Sequence, residues 1–133
     1  MRVMIDKNIL ISAVIFKSKL ISDFIKLLSD KHTPVLCSCV INELHEVVNE
    51  KFNVSPADLD KFFLELPFEF VYTPKILPQH NLFTIRDKDD EKILYSAILA
   101  DVDVFVTGDK DFYSVDIERP EILSPADFLM RYC

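Results

Sequence analysis

The feature that most constrains the fold is a short apolar run at residues 3–5 that ends directly in an acid, Asp6. Such a continuous run is typical of a strand buried on both faces, as in a parallel sheet covered by helices. The apolar residues that follow predict a helix over residues 8–14. Asp6 therefore lies where a strand ends and a helix begins, and open α/β sheets bind their ligands at such strand ends.

Two interpretations of Asp6 follow from this position. Together with Asn8, it offers side-chain oxygens of the kind that a hard cation prefers. Alternatively, its carboxylate only caps the helix by accepting a hydrogen bond from a free backbone N–H. The neighbouring residues leave both interpretations open, so the choice depends on acids elsewhere in the chain.

The remaining chain alternates between helices and strands. Amphipathic spacing predicts helices over residues 20–30 and 39–51, and another helix begins at Asp87. The tetrapeptide Ser-Pro-Ala-Asp, a helix-start signal, occurs at residues 55–58 and 124–127. Further strands are predicted at residues 34–37, 68–72, 102–106 and 121–123, and an irregular connector at residues 73–85.

This alternation predicts the fold class. Parallel strands are joined by right-handed crossovers, which place helices over the faces of the sheet. We therefore predict a single α/β domain over residues 1–133, with three α/β/α layers and a central, mostly parallel sheet of four to five strands. The strand at residues 68–72 is expected nearer the edge of that sheet.

Composition argues against several classes of protein. The chain has a single glycine, whereas phosphate-binding loops and dinucleotide fingerprints need at least two. Its three cysteines do not suit a disulfide framework, so we expect a reducing cytoplasm. No apolar run approaches the ~20 residues of a membrane helix, and the first apolar run is too short for a signal peptide.

The net charge of −7 argues, at first sight, against a nucleic-acid partner. If carboxylates held two divalent cations, the four added positive charges would change the net charge from −7 to −3. Several lysines also lie close to acids in the sequence. The charge at a site can therefore differ from the charge of the whole chain.

Further acids occupy positions that could converge with Asp6. Asp109 follows the strand at residues 102–106 by three positions, so the two acids overhang one crevice if their strands are neighbours. Glu43 lies at the edge of the apolar face of its helix, where a glutamate is often only solvated. Three more acids lie close together in the first turn of one predicted helix: Asp87, Asp89 and Asp90. The helix dipole alone would favour acids in that turn.

Convergence of these carboxylates would have a chemical consequence. Carboxylates in one cleft repel one another and partly protonate unless a cation occupies the site. Oxygen ligands without cysteine or histidine select Mg²⁺ or Mn²⁺ over Zn²⁺. Such a site suits phosphodiester cleavage by a metal-activated water, which needs no side-chain nucleophile. The histidines are scattered and the cysteine pair is isolated, so they suggest neither nucleophilic catalysis nor a zinc site. These residues are His32, His45, His80, Cys37 and Cys39.

Four stretches of the chain resemble, in the family's order, the PIN-domain ribonucleases that act as VapC-like toxins in bacterial and archaeal toxin–antitoxin pairs. They are VMIDKNILISA at residues 3–13, SCVINELHEV at 38–47, DKDDEKILYSA at 87–97 and VFVTGDKDF at 104–112. No single stretch is specific, but together they span nearly the whole chain. The resemblance implies a PIN-like fold, a cognate antitoxin and a homodimer.

The resemblance also implies a set of site residues. Four acids would bind Mg²⁺ or Mn²⁺, and three polar residues would support them. Asp90 is preferred over its acidic neighbours because the family's acid precedes an apolar residue by three positions and a small residue by seven, as Ile93 and Ala97 do. The acids are Asp6, Glu43, Asp90 and Asp109, and the supporting residues are Asn8, Thr107 and Asp111.

One position departs from the family's pattern. Relatives usually carry a hydroxyl residue between the first aspartate and the asparagine, and this chain carries Lys7. A lysine there could pair with Asp6, compete with a cation or reach a phosphate.

We therefore expect a metal-dependent endoribonuclease whose Lys7, Lys17 and Lys110 contact RNA phosphates. An alternative is a PIN-like module, weakly active or inactive, that binds RNA or a partner without cutting it. A third hypothesis is an aspartyl phosphotransferase with Asp6 as its nucleophile. That hypothesis is weakened because no second acid or backbone-donating loop closely follows Asp6.

Overall fold

Five parallel strands form the central sheet, in the order β3-β2-β1-β4-β5. We describe a computed structural model for residues 1–52, 54–77 and 83–133. The strands are β1 (Arg2–Ile5), β2 (Thr33–Cys37), β3 (Glu69–Val71), β4 (Val104–Val106) and β5 (Glu121–Leu123). The sheet is thus entirely parallel within the described residues, and β3 lies at its edge as predicted.

Six α-helices occur among the described residues, together with two short helical segments. The α-helices are α1 (Lys7–Ile11), α2 (Lys19–Lys31), α3 (Ser38–Lys51), α4 (Pro56–Glu65), α5 (Lys88–Leu99) and α6 (Pro125–Tyr132). A π-helical turn (Ser12–Phe16) follows α1, and a 3₁₀ helix (Lys110–Phe112) follows β4. None of the described helices combines the length and the apolar character needed to cross a membrane.

Burial of successive strand residues shows that helices cover both faces of the sheet. Neighbouring side chains on a strand point to opposite faces. In β1, Val3, Met4 and Ile5 are nevertheless all fully buried, and Val104, Phe105 and Val106 of β4 are at most 1% exposed. The predicted three-layer α/β/α arrangement is therefore confirmed, with its core around the central strands.

The central position of β1 sets the location of the candidate site. β1 pairs with β2 on one side and with β4 on the other, so the predicted adjacency of β1 and β4 is confirmed. The pairing continues one residue past β1, where the backbone N–H of Asp6 donates to the carbonyl of Val106 at 3.0 Å. The carboxyl ends of β1 and β4 therefore lie side by side.

Both Ser-Pro-Ala-Asp segments start helices. The Ser55 hydroxyl accepts from the N–H of Asp58 at 3.2 Å, and the Ser124 hydroxyl accepts from the N–H of Asp127 at 3.1 Å. In each case the proline occupies the first turn, where a missing N–H costs nothing. The two copies are therefore two uses of one capping signal, and they begin α4 and α6.

Two predicted elements differ from the structure by more than one residue at one end. The helix expected over residues 8–14 is α1 followed by a π-helical turn, which ends at Lys17 with a left-handed φ of 47°. The strand expected over residues 102–106 starts at Val104, because the N–H of Val102 bonds back to Ala97 in the turn that ends α5. The connector expected at residues 73–85 carries no helix or strand in its described part, and Pro78 and His80 lie outside the described residues.

Candidate metal centre

Four of the acids named from the sequence lie near the carboxyl ends of β1 and β4. Asp6 directly follows β1, and Asp109 lies three residues beyond β4. Glu43 reaches the same region from α3 and Asp90 from α5, as their charge interactions below indicate. We call this region the acidic edge and define it by Asp6, Glu43, Asp90, Asp109 and Asp111.

Asp6 is almost entirely buried, with 2% of its surface exposed. Its Oδ1 accepts from the backbone N–H of Lys7 at 2.7 Å, and its Oδ2 accepts from the Thr107 hydroxyl at 2.6 Å. Burial raises the pKa of the Asp6 carboxyl more than these two hydrogen bonds lower it. Asp6 therefore caps α1, as one interpretation proposed, and its buried carboxylate would still gain from a nearby cation.

The loop after β4 is held by hydrogen bonds that start at Thr107, which is fully buried. The Thr107 hydroxyl accepts from the N–H of Asp109 at 3.0 Å, and Oδ1 of Asp109 accepts from the N–H of Asp111 at 3.0 Å. The Tyr113 hydroxyl donates to the carbonyl of Thr107 at 2.6 Å. These contacts fix the Asp109 carboxylate beside Asp6 and begin the 3₁₀ helix.

Asp90 comes from the first turn of α5 and completes a cluster with Asp109 and Asp111. One carboxylate oxygen from each of these three residues lies within 4.8 Å of the others. Of the two neighbouring acids, Asp87 caps α5 by accepting from the N–H of Asp89 at 2.9 Å, and both are exposed. The structure thus brings Asp90, rather than either neighbour, into the cluster.

The pKa of Asp90 reflects both its burial and the negative charge around it. Burial, followed by the charges of Asp109, Asp87 and Asp6, raises the pKa of the Asp90 carboxyl to about 7. Carboxylates must lie close together in a poorly solvated place to produce such a change. Asp6 thus belongs electrostatically to the group, although the closest cluster consists of Asp90, Asp109 and Asp111.

The donor set of the cluster fits a hard divalent cation. All its ligand atoms are carboxylate oxygens, which suit Mg²⁺ or Mn²⁺ better than Zn²⁺. Two oxygens on one octahedral ion of this size lie roughly 3–4 Å apart. Because the three carboxylates already approach that spacing, small side-chain movements would let them hold one ion.

Glu43 joins the acidic edge through Lys7. The Lys7 Nζ lies 3.0 Å from Glu43 Oε2, and the side chains are only 28% and 22% exposed. Burial lowers the pKa of the Lys7 ammonium, but the bond to Glu43 and the charges of Glu43, Asp6 and Asp90 outweigh it, so the pKa is raised. Lys7 is therefore a firmly protonated cation among the acids, and its direct partner is Glu43 rather than Asp6.

The other residues named from the sequence lie near the surface. Asn8 is exposed on α1, and Lys110 is exposed directly after Asp109. Lys17 is exposed at the end of the π-helical turn, where it lines an open cavity of about 500 Å³ with Lys61 of α4. Lys110 thus adjoins the acidic edge in sequence, whereas Lys17 belongs to a separate groove.

Two features of the site were not foreseen. Asp111, expected only to support the site, contributes an oxygen to the cluster. Arg86, which is absent from the sequence-based predictions, places its guanidinium 3.3 Å from Asp111 Oδ2. The available signal was its position immediately before the acidic run that begins at Asp87.

Comparisons with known proteins agree with this architecture. The structure is similar to the crystal structure of VapBC2 from Rickettsia felis bound to a DNA fragment from their promoter, with a TM-score of 0.68 and 20% sequence identity, over 93% of this chain and 98% of that chain. At this identity the likeness concerns the fold. A comparison with curated protein sequences finds no match. The model of the PIN domain family matches residues 2–111, and the chain therefore belongs to the PIN domain family.

Proposed function

We propose that this protein is an endoribonuclease that depends on Mg²⁺ or Mn²⁺. The observation that carries the proposal is the cluster of Asp90, Asp109 and Asp111 beside buried Asp6, in which burial and then the neighbouring acids raise the pKa of Asp90 to about 7. In a structural ion pair, the neighbouring positive charge lowers the pKa of the carboxylate. Here the pKa of Asp90 is raised instead, and a bound cation would relieve the repulsion among the acids. PIN domains are generally nucleases, and membership of the family supports the same activity.

Each part of the acidic edge has a role in this proposal. Asp6, Glu43, Asp90 and Asp109 form the acidic quartet that the family resemblance implies, and the ion would lie among the clustered oxygens of Asp90, Asp109 and Asp111 beside Asp6. The bound ion supplies an activated water and neutralises the charge that develops on the phosphate. Thr107 orients Asp6 through its 2.6 Å hydrogen bond, Asn8 adds a polar group on α1, and Asp111 contributes the third oxygen of the cluster.

Lysines near the site would bind the RNA backbone. Lys110 follows Asp109 directly, and the Lys7 ammonium lies within the acidic edge. Lys17 would contact phosphates farther from the cleaved bond, along the groove that it shares with Lys61. Such contacts give affinity that falls with salt and carries little sequence preference.

The biological setting that we propose is a toxin–antitoxin pair. The solved VapBC2 complex, which shares this fold, is bound to promoter DNA. By analogy, the present chain would be the toxin of such a pair, assembled as a homodimer with a cognate antitoxin. Its cysteines Cys37, Cys39 and Cys133 are free thiols, as the reducing cytoplasm that we propose for it would require.

A second candidate is a PIN-like module that binds RNA or a partner without cutting it. The observation that favours it is the ion pair between Lys7 and Glu43, which engages one of the four proposed ligands. The two candidates differ in whether a divalent ion produces cleavage.

The deciding experiment is an RNA cleavage assay with the full chain in millimolar Mn²⁺, in comparison with EDTA. We expect cleavage only with Mn²⁺, and a loss of about 100-fold or more in Asp6→Asn and Asp90→Asn. Asp89→Asn, a change of the same type one residue away on the exposed side of α5, is the matched control and should retain activity. Circular dichroism checks that each variant folds. RNA binding without cleavage would favour the module.

A further inference from the structure

The ammonium of Lys7 places a positive charge inside the acidic edge, 3.0 Å from Glu43 Oε2. We propose that Lys7 acts as a fixed monovalent cation in that place, so that each chain binds one divalent ion. The ion would be held by Asp90, Asp109 and Asp111 beside Asp6, and Glu43 would hold Lys7 rather than the ion. This inference rests on the proposed metal-dependent function.

Lys7 is held in this position at both ends. It is the first residue of α1, and its backbone N–H donates to Asp6 Oδ1 at 2.7 Å. Its side chain crosses to α3, where Nζ lies 3.0 Å from Glu43 Oε2. Because α1 packs directly against α3, the ammonium is confined between these helices instead of extending into solvent. Only 28% of the Lys7 side chain is exposed.

The arrangement of the acids separates two groups. Asp90, Asp109 and Asp111 bring their oxygens within 4.8 Å of one another, and Glu43 is not a member of that group. Glu43 Oε2 is instead shielded from solvent and lies against the Lys7 ammonium. A second divalent ion at Glu43 would have to sit against that ammonium, and the two positive charges would repel each other.

An ammonium and a divalent ion contribute different chemistry. A lysine ammonium has three donors and one positive charge, so it can bind Glu43 and a phosphate oxygen together. It does not lower the pKa of a bound water as a divalent ion does. Lys7 would therefore position the acids and attract the phosphate, while Asp90, Asp109 and Asp111 hold the ion that serves the water.

The test is a count of bound Mn²⁺ by equilibrium dialysis and electron paramagnetic resonance on the full chain, with no RNA present. We expect one Mn²⁺ per chain in the wild type and in Lys7→Arg, which keeps the positive charge. Lys7→Thr should bind a second Mn²⁺, because Glu43 then lacks its cation. The double variant Lys7→Thr, Glu43→Gln should return to one. Lys92→Thr, which removes an exposed lysine of α5 to which no role is assigned, is the matched control and should also bind one.

The outcomes separate this inference from the proposed nuclease function. Two Mn²⁺ ions in the wild type, or no second ion in folded Lys7→Thr, would overturn the role of Lys7 and leave the nuclease intact. No binding by the wild type at millimolar Mn²⁺ would overturn both. Glu43→Gln provides a variant that keeps Lys7: it should still bind one Mn²⁺, and loss of that ion would show Glu43 to be a ligand.

Discussion

The two ends of the sheet carry similar acids in opposite surroundings. At the amino ends of the strands, the Arg2 guanidinium donates to Glu69 at 2.9 Å and the Arg2 backbone N–H donates to Asp103 at 2.8 Å. Arg119 adds bonds to Asp101 and Asp103 at 2.8 and 2.9 Å. At the carboxyl ends, the acidic edge combines the cluster of Asp90, Asp109 and Asp111 with the pair of Lys7 and Glu43, and Arg86 contacts Asp111 at its margin.

The pKa values follow this difference. The backbone N–H of Arg2 and the Arg119 guanidinium lower the pKa of Asp103, and the Arg2 guanidinium lowers that of Glu69. Burial and neighbouring carboxylates raise the pKa of Asp6 and Asp90. The charges of Asp103 and Glu69 therefore stabilise the folded chain, whereas the charges of Asp6 and Asp90 oppose folding until a cation binds. Four predictions test this contrast.

The largest expected effect is stabilisation by metal at the acidic edge alone. Mn²⁺ at about 100 times its dissociation constant should stabilise the wild type by about 2.7 kcal/mol, because it binds the folded state only. Arg2→Ala should keep this increment, and Asp109→Asn should lose it. Thermal unfolding in Mn²⁺ and in EDTA measures both. Equal stabilisation of Asp109→Asn would place the ion elsewhere.

At the amino ends, Arg2→Ala should destabilise the fold by about 1–2 kcal/mol, because it leaves Glu69 without its two-pronged partner. Arg2→Lys keeps the charge but not the paired geometry, so it should give an intermediate loss. Urea unfolding at pH 7 in EDTA provides the free energies. A stability of Arg2→Ala equal to that of the wild type would mean that these ion pairs contribute nothing.

At the acidic edge, Asp90→Asn should stabilise the metal-free protein by about 1 kcal/mol at pH 8, a value kept low because the side chain is partly solvated. The pKa of Asp90 is about 7 when folded and 3.8 in the reference state, so its ionisation disfavours folding increasingly from about pH 4 to pH 7. The gain should vanish near pH 4. Urea unfolding in EDTA at both pH values tests this, and Asp89→Asn should show no comparable gain.

The smallest effect is expected for Asp103→Asn. The pKa of Asp103 is lowered in the folded state, so its charge contributes stability above the unfolded pKa, and this is lost as the pH falls below about 4. With 35% of the side chain exposed, the cost at pH 7 should be only about 0.5 kcal/mol. Urea unfolding at pH 7 and pH 3 measures it. A cost that persists at pH 3 would assign it to lost packing.

Local patterns predicted most of the fold because each pattern has a local physical cause. The apolar run at residues 3–5 produced a strand buried on both faces, and each Ser-Pro-Ala-Asp segment produced a capped helix start. The prediction was less accurate at residues 8–14, where α1 passes into a π-helical turn. That change depends on how the segment packs against its neighbours, which apolar spacing does not report.

The candidate site was predictable in part. Asp6 and Asp109 were expected to meet because both follow strands, and the adjacency of β1 and β4 is confirmed. The preference for Asp90 over its neighbours came from the resemblance to the family, and its assignment as a metal ligand stays a prediction. The place of Asp111 in the cluster depends on the 3₁₀ helix that the Asp109 carboxylate caps. No spacing rule in the sequence specifies that contact.

The sequence by itself determined which segments are strands and helices and which oxygen-bearing side chains stand at their ends, because propensity, capping and apolar periodicity act over a few residues. Only the tertiary structure decided that the Lys7 ammonium faces Glu43 and that Asp90, Asp109 and Asp111 share one cluster. Electrostatic interactions depend on separation in space and on burial. Lys7 and Glu43 are 36 positions apart in the sequence, and Asp90 and Asp109 are 19 positions apart. Their separation in space and their burial are therefore determined only when the sheet brings their elements together.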